Sequence, residues 1–308
     1  MKKISIIIPT FNEEENIDKL FSNIIEQMSK LNYDYEIIVI DNASTDNTED
    51  KIKNWTDKNK KIKAIFNIKN FGHIRSPFYA LLQSTGDASI TMPADMQDPV
   101  DLIPKYLDEW EKGNKVILGE KESSDENKIK FFIRKIFYKF INKISHTTQT
   151  ENTTGFGLYD SSIVNEFKKI SDPYPYIRGL VNEIAEVKTV KYHQKKRTHG
   201  NSKNSFLELY DIAMLGIIKL SRAPLRLITL VGFISSILSF FVGMFYFIYK
   251  LINWSSFELG LAPIILGIFI LGSIQIFMVG LIGEYIGIIL IHQRDMPLVI
   301  EKKRINFD

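Results

Sequence analysis

Thr91-Met92-Pro93-Ala94-Asp95-Met96-Gln97-Asp98-Pro99 decides how this chain is read. The apolar run Ala88–Met92 leads into it, so the acidic cluster falls where a buried strand ends. In open α/β sheets, ligands bind outside the carboxyl ends of the strands. Asp95, Gln97 and Asp98 offer hard oxygen donors, the kind that suit Mg²⁺ or Mn²⁺ on a diphosphate. The same residues also fit a helix start, with Asp98-Pro99 opening a helix over Val100–Lys112. The segment alone leaves both readings open.

Working outward, the pattern repeats. Ile4–Ile8 reads as a buried strand ended by Pro9, followed by Thr10-Phe11-Asn12-Glu13 and a helix from Ile17 to Met28. Glu36–Ile40 is a second strand running into Asp41-Asn42-Ala43-Ser44-Thr45-Asp46, with a helix from about Thr48 to Lys58. Ile62–Phe66 is a third, ended by Asn67-Ile68-Lys69-Asn70-Phe71-Gly72, and Ser76–Ser84 reads as a helix. Lys115–Gly119 and Lys188–His193 are further strands. Strands alternating with helices predict βαβ units and a mainly parallel sheet. The acidic and amide clusters then converge on one sheet edge.

Composition narrows the class. The chain has 308 residues, a formal net charge of +3 and no cysteine. That charge is too small to call for nucleic acid, and disulfides and thiolate metal sites are excluded. The N-terminus lacks a small-residue cleavage site and reads as a first strand, not a signal peptide. Neither G-x-G-x-x-G after the first strand, nor G-x-x-x-x-G-K-[ST], nor H-E-x-x-H occurs.

The second half looks towards a membrane. Residues 128–145 carry an apolar stripe opposite Lys128, Lys130, Arg134, Lys135, Lys139 and Lys143. A basic amphipathic helix of this kind fits a membrane surface or an ordinary protein surface. Gln194–Lys203 is a basic loop suited to phosphate or to a solvated linker. Leu227–Tyr249 and Leu259–Gly283 are uncharged and, at ~1.5 Å per residue, long enough to cross a bilayer core of about 30 Å. Arg222 and Arg226 before them, and Arg294, Lys302, Lys303 and Arg304 after, place both flanks in the cytoplasm by the positive-inside rule. Glu284 falls at the end of the second span.

These motifs together resemble the family 2 glycosyltransferases with the GT-A fold, and within them the polyprenyl-phosphate glycosyltransferases. Ile8-Pro9-Thr10-Phe11-Asn12-Glu13, Asp41–Asp46, Asn70-Phe71-Gly72, Ala94–Pro99 and Arg197 with Gly200-Asn201-Ser202-Lys203 carry the resemblance. Pro224-Leu225-Arg226 and Gly283-Glu284-Tyr285-Ile286-Gly287 also fit it. It implies an α/β GT-A domain over residues 1–205, an interface helix over 206–226, a transmembrane hairpin over 227–291 and a cytoplasmic tail over 292–308. It implies a UDP- or GDP-linked sugar donor, a polyprenyl phosphate acceptor and Mg²⁺ or Mn²⁺, in a plasma-membrane protein; self-association stays open. Pro9, Phe11, Glu13, Asp41, Asn70 and Gly72 would frame the donor, and Asp95 and Gln97 would carry the metal and the catalytic centre. Arg134, Arg197 and Lys203 would hold phosphate. His73 and Arg75 follow the Asn70–Gly72 turn and are weighed as further donor-phosphate contacts.

Two departures stand out. The family's Asp-x-Asp is Pro93-Ala94-Asp95 here, and its Gly-Asp-Phe-Arg-Leu is Gly155-Phe156-Gly157-Leu158 preceded by Thr154. The alternatives are a transferase that extends a glycan or another lipid, and a non-catalytic scaffold. Against the first, Gln194-Lys195-Lys196-Arg197 is followed by Thr198, where processive synthases carry tryptophan.

Overall fold

The computed structural model describes residues 1–124, 150, 153–194, 214, 218, 223–252, 261–294 and 296–307. Its strands are β1 (Lys3–Thr10), β2 (Asp34–Asp41), β3 (Ile62–Asn67), β4 (Ala88–Thr91), β5 (Val116–Ser124), β6 (Thr153–Asp160), β7 (Val187–Gln194) and β8 (Glu301–Ile305). They form one eight-stranded sheet in the order β7-β5-β6-β4-β1-β2-β3-β8. β1 runs parallel to β2 and β4, β2 to β3, and β5 to β7. β6 is antiparallel to both β4 and β5.

Strand alternation explains the layering. Ile4, Ile6 and Ile8 of β1 face one apolar cluster, and Ile7 faces the other. The same split separates Ile37 and Val39 from Ile38 and Ile40 on β2. Each fully buried isoleucine contributes about 1.5–3 kcal/mol, and only a sheet covered on both faces can use them all. Helices α1 (Ile17–Ser29), α2 (Thr48–Lys58) and α4 (Ile103–Glu111) cover the first face. Helices α3 (Gly72–Leu82), α5 (Ser161–Lys168) and α6 (Ile177–Ile184) cover the second.

Three differences from the sequence reading have physical causes. Helix α3 begins at Gly72, four residues before Ser76. The Ser76-Pro77 pair looks like a helix start, but hydrogen bonds described below set the first turn earlier. β6 is a central strand although Gly155 and Gly157 dilute its apolar pattern. A Cβ on Gly157 would lie 2.9 Å from the Ile117 carbonyl oxygen and 2.5 Å from Leu118 Cδ2, so packing requires the glycine. Residues 292–308 are not simply a tail, because β8 pairs antiparallel with β3 at the sheet edge.

Helices α7 (Ala223–Ile252) and α8 (Leu261–Gln293) contain the apolar windows Ala223–Tyr249 and Ile270–Ile291, with mean hydropathy 2.2 and 2.1. None of either window is buried, and Ile276 and Phe277 are 76% and 71% exposed. These helices are long and apolar enough to cross a membrane. The second window reaches past Glu284, which therefore lies within it, not at its end.

Candidate functional site

The loops that follow β1, β2 and β4 meet as expected. A cavity of about 230 Å³ lies between them, walled by Pro9, Phe11 and Glu13 after β1, Asn42 after β2, Gly72 and His73 at the start of α3, and Pro93 to Asp95 after β4. Five of the residues expected to frame the donor or hold the metal thus share one wall: Pro9, Phe11, Glu13, Gly72 and Asp95. Asp41, Asn70 and Gln97 do not line it.

The loops are held in sparsely populated backbone shapes. Among the described residues, non-glycine positive φ occurs at Asn12 (55°), Ala43 (60°), Met96 (59°) and Asn306 (61°). The first three lie in the loops after β1, β2 and β4. A left-handed residue costs roughly 1–2 kcal/mol, and such strain collects where surrounding contacts impose it at functional sites. Those contacts are visible. Asn12 N–H donates to Ser44 Oγ at 2.8 Å, and Asn12 Oδ1 accepts from Thr45 N–H at 2.7 Å. Glu13 N–H donates to Thr48 Oγ1, and the Glu13 carboxylate accepts from Asn16 Nδ2 at 2.7 Å. Glu13 thus braces its own loop as well as lining the cavity.

Asp41 is 1% exposed. Its carboxylate accepts from Ser44 Oγ, from Ser44 N–H at 3.1 Å and from Thr10 Oγ1 at 3.5 Å. Burial pushes its pKa up, aided by Glu49 and Asp46, and the Ser44 bonds only partly oppose this. Asp41 sits behind the cavity wall and fixes the second loop from within.

An amide network joins the second and third loops. Asn42 Nδ2 donates to Asn70 Oδ1 at 2.7 Å and to the Gly72 carbonyl at 3.2 Å. Asn42 Oδ1 accepts from Phe71 N–H at 2.8 Å and Asn67 Nδ2 at 3.1 Å. Asn70 Oδ1 also accepts from Gly72 N–H at 2.8 Å. These bonds start α3 at Gly72, whose φ of +86° suits glycine alone. Asn70 thus shapes the turn from outside the cavity. Sequence spacing marks Asn42 only as part of the Asp41–Asp46 cluster and does not show that it bridges two loops.

The acidic loop after β4 differs in kind. Asp95 is half-buried, and its Oδ1 accepts the Gln97 backbone N–H at 3.2 Å. Its other oxygen accepts nothing from the described residues. Asp98 is turned inward and is 4% exposed. Its Oδ1 accepts from Tyr192 Oη and from Gln194 Nε2 at 3.2 Å, so β7 is latched to this loop. That latch engages Asp98 Oδ1, so at least this oxygen serves the packing of β7 on the loop. Among the described residues no group of three or more His, Asp or Glu is placed to hold a metal. Asp95 and Gln97 offer one carboxylate and one amide oxygen, which matches Mg²⁺-type sites where substrate phosphate and water complete the shell. The donor set fits such an ion only jointly with a diphosphate.

Arg75 points elsewhere than the sequence reading weighed. Its guanidinium donates to the Pro297 carbonyl and lies 5.3 Å from the Phe71 ring centroid. His73 does reach the cavity wall. Arg134, Arg197 and Lys203, and the amphipathic helix over 128–145, lie outside the described residues, as does most of 206–226.

Comparison with known proteins agrees with this layout. The model of glycosyl transferase family 2 matches residues 5–168, and that of the GtrB C-terminal hairpin matches 223–289. The chain is 31% identical over 300 residues to an uncharacterized glycosyltransferase of Synechocystis sp., covering 97% of this chain and 94% of that one. It is 30% identical over 303 residues to the SfII prophage-derived bactoprenol glucosyl transferase of Shigella flexneri, covering 98% of each. A mycobacterial protein of known structure superposes with a TM-score of 0.50 at 15% identity, over 70% of this chain and 73% of that one, a likeness of fold alone. The domain has the GT-A architecture, and the chain belongs to the family 2 glycosyltransferases.

Proposed function

We propose that this glycosyltransferase moves a sugar from a UDP- or GDP-linked donor to a polyprenyl phosphate at a membrane surface. The observation that carries this reading is the cavity that joins the Pro9–Glu13 loop to Asp95 across the sheet edge. Pro9, Phe11 and Gly72 would face the base and ribose, with Glu13, Asp41 and Asn70 bracing the loops that do so. Asp95 and Gln97 would hold Mg²⁺ or Mn²⁺ on the donor diphosphate. Bound there, a divalent ion offsets the charge that develops on the leaving diphosphate.

The chain's own residues then have limited work. Arg134, Arg197 and Lys203 would hold phosphate, with Arg as the better bidentate partner. An acceptor phosphate oxygen attacks the anomeric carbon from the face opposite the diphosphate. The new C–O bond forms as the bond to the diphosphate breaks, so configuration inverts. An ionised phosphate has no proton to lose, so no general base is required.

The membrane part of the reading is supported by α7 and α8 and by β8. β8 follows α8 yet pairs with β3, which precedes α7. Two crossings return the chain to its starting side, so the sheet and both termini share one compartment. Positive flanks make that side the cytoplasm. The similarity to a bactoprenol glucosyl transferase over almost the full chain favours a polyprenyl phosphate acceptor over a growing glycan.

The test is a donor panel. Membranes containing the full chain would be incubated with undecaprenyl phosphate and labelled UDP- or GDP-sugars. The reading expects organic-extractable label with one donor. Label confined to a water-soluble glycan would favour the glycan-extending alternative. No transfer with any donor, together with an Asp95→Ala variant that keeps the cellular phenotype, would leave the scaffold.

A further inference from the structure

The segment that leaves the second apolar helix does more than close the chain. Pro297 to Ile305 runs back across the edge of the sheet next to the Asn70–Gly72 turn. Ile68 N–H donates to the Ile300 carbonyl at 3.1 Å, and Asn67 pairs with Glu301 across a register shift. Arg75, one helical turn into α3, donates to the Pro297 carbonyl while its guanidinium covers the Phe71 ring. Tyr79 Oη donates to Glu301 Oε1 at 2.8 Å, and Arg304 bonds Tyr79 and Gln83 on the same helix. Val299 is 6% exposed, and Leu298 and Phe307 pack on the second core cluster. Farther along, Asn306 Nδ2 donates to the carbonyls of Thr56 and Ile62, both at 2.9 Å.

A free edge strand would be short and charged merely to prevent aggregation. Glu301-Lys302-Lys303-Arg304 has that composition, but beyond its pairing with β3 the side chains of Glu301 and Arg304 bond Tyr79 and Gln83 on α3. Phe71 and Gly72 are set on one side by Asn42 and on the other by Arg75. The first support comes from the sheet and the second from the chain that emerges from the apolar helix.

We infer that Arg75 is a positioning residue: by holding Pro297 and covering Phe71, it makes residues 297–305 a strap through which the helical anchor fixes the Asn70–Gly72 turn in its binding geometry. The inference rests on the reading of that turn as part of the donor site. It deepens that reading by making donor affinity depend on residues that do not line the cavity. Release of the strap frees the turn while the sheet stays folded, because β1 and β2 keep their own pairing and core.

The experiment uses the purified full chain in detergent, with Arg75→Gln, Arg75→Lys and Lys302→Ala. Among the described residues Lys302 pairs with Glu49 on α2, at 3.3 Å, and not with α3. Hydrogen exchange over residues 67–76 and calorimetric titration with UDP and GDP, each with Mn²⁺, are the readouts. Arg75→Gln should speed exchange in 67–76 and weaken binding of the preferred nucleotide by about fivefold to tenfold, roughly 1 kcal/mol or a little more. Exchange of β1 and β2 should not change. Arg75→Lys, which keeps a donor for Pro297, should recover part of the loss, and Lys302→Ala should match wild type. Unchanged exchange and affinity in Arg75→Gln would overturn the inference. So would a loss of protection spread evenly over the sheet, which marks a stabilising contact only. If Arg75→Gln does not fold, Glu301→Gln weakens the same strap through Tyr79 and Arg304, and the same two readouts decide. A wild-type chain that binds neither nucleotide would contradict the donor reading, while exchange over 67–76 still decides whether Arg75 orders the turn.

Discussion

Asp41 ends β2 and Asp95 lies on the loop after β4, the two strands that flank β1, yet their surroundings are opposite. Asp41 is 1% exposed and accepts hydrogen bonds from Ser44 and Thr10. Asp95 stands in the cavity wall with one oxygen bonded to the Gln97 N–H. A carboxylate already supplied with donors organises a loop, whereas one with an open oxygen can meet a ligand. Sequence position alone made the two look alike.

The largest expected effect separates them directly. Asp95→Asn should lower sugar transfer by about 100-fold or more, ~3 kcal/mol of transition-state stabilisation, and leave the melting temperature near wild type. Transfer rates and thermal unfolding on the same preparation check both halves. A large drop in melting temperature would make Asp95 another loop brace.

Glu36 supplies the purely structural standard. It is 1% exposed and far from the cavity wall. Burial pushes its pKa up, but hydrogen bonds from Lys63, Ser5, Lys3 and the Thr85 N–H outweigh it and hold the value at about 2. A carboxylate depressed in the folded state contributes stability above its unfolded pKa and loses it as pH falls through the folded value. Stability should therefore decline from about pH 4.5 down to about pH 2. Glu36→Ala should cost roughly 3 kcal/mol at neutral pH, because it strands Lys3 and Lys63 beside a buried gap. Urea unfolding against pH would show both the loss and the missing acid limb.

The fold was legible where burial writes itself into sequence. The isoleucine runs of β1, β2 and β3 and the heptad-like spacing of Ile17, Leu20, Phe21 and Ile24 follow directly from two covered sheet faces. β8 was hidden because an edge strand presents charged side chains, so Glu301–Arg304 reads as tail. β6 was hidden because Gly157 is dictated by the closeness of Ile117 and Leu118, not by local preference. The site was half legible. Residue type and strand-end position pointed to Pro9, Phe11, Glu13, Gly72 and Asp95, which do share a wall. Which carboxylates face inward was not, since Asp98 is turned by Tyr192 and Gln194, which lie almost a hundred residues on.

Asp98 lies between the two extremes. Tyr192→Phe removes one donor to its buried carboxylate and should cost about 1–2 kcal/mol, with a loss in transfer smaller than that of Asp95→Asn. Denaturant midpoints and transfer rates together check it. An effect on transfer as large as that of Asp95→Asn would move the latch into the reacting centre.

Asp41→Asn should have the smallest effect. Because burial raises the Asp41 pKa, the folded protein favours the neutral side chain, and the stability gained from that proton is lost as pH rises above the usual carboxylate range. The amide keeps an acceptor for Ser44 without the charge. Unfolding free energy at neutral pH should stay within about 1 kcal/mol of wild type, with nucleotide affinity little changed.

The most direct test of the contrast is the metal dependence of nucleotide binding by calorimetry, comparing wild type, Asp41→Asn and Asp95→Asn with UDP and GDP, each with and without Mn²⁺. Wild type and Asp41→Asn should bind one nucleotide more tightly when Mn²⁺ is present, and Asp95→Asn should lose that enhancement. An Asp95→Asn chain that keeps the full Mn²⁺ enhancement would contradict the account.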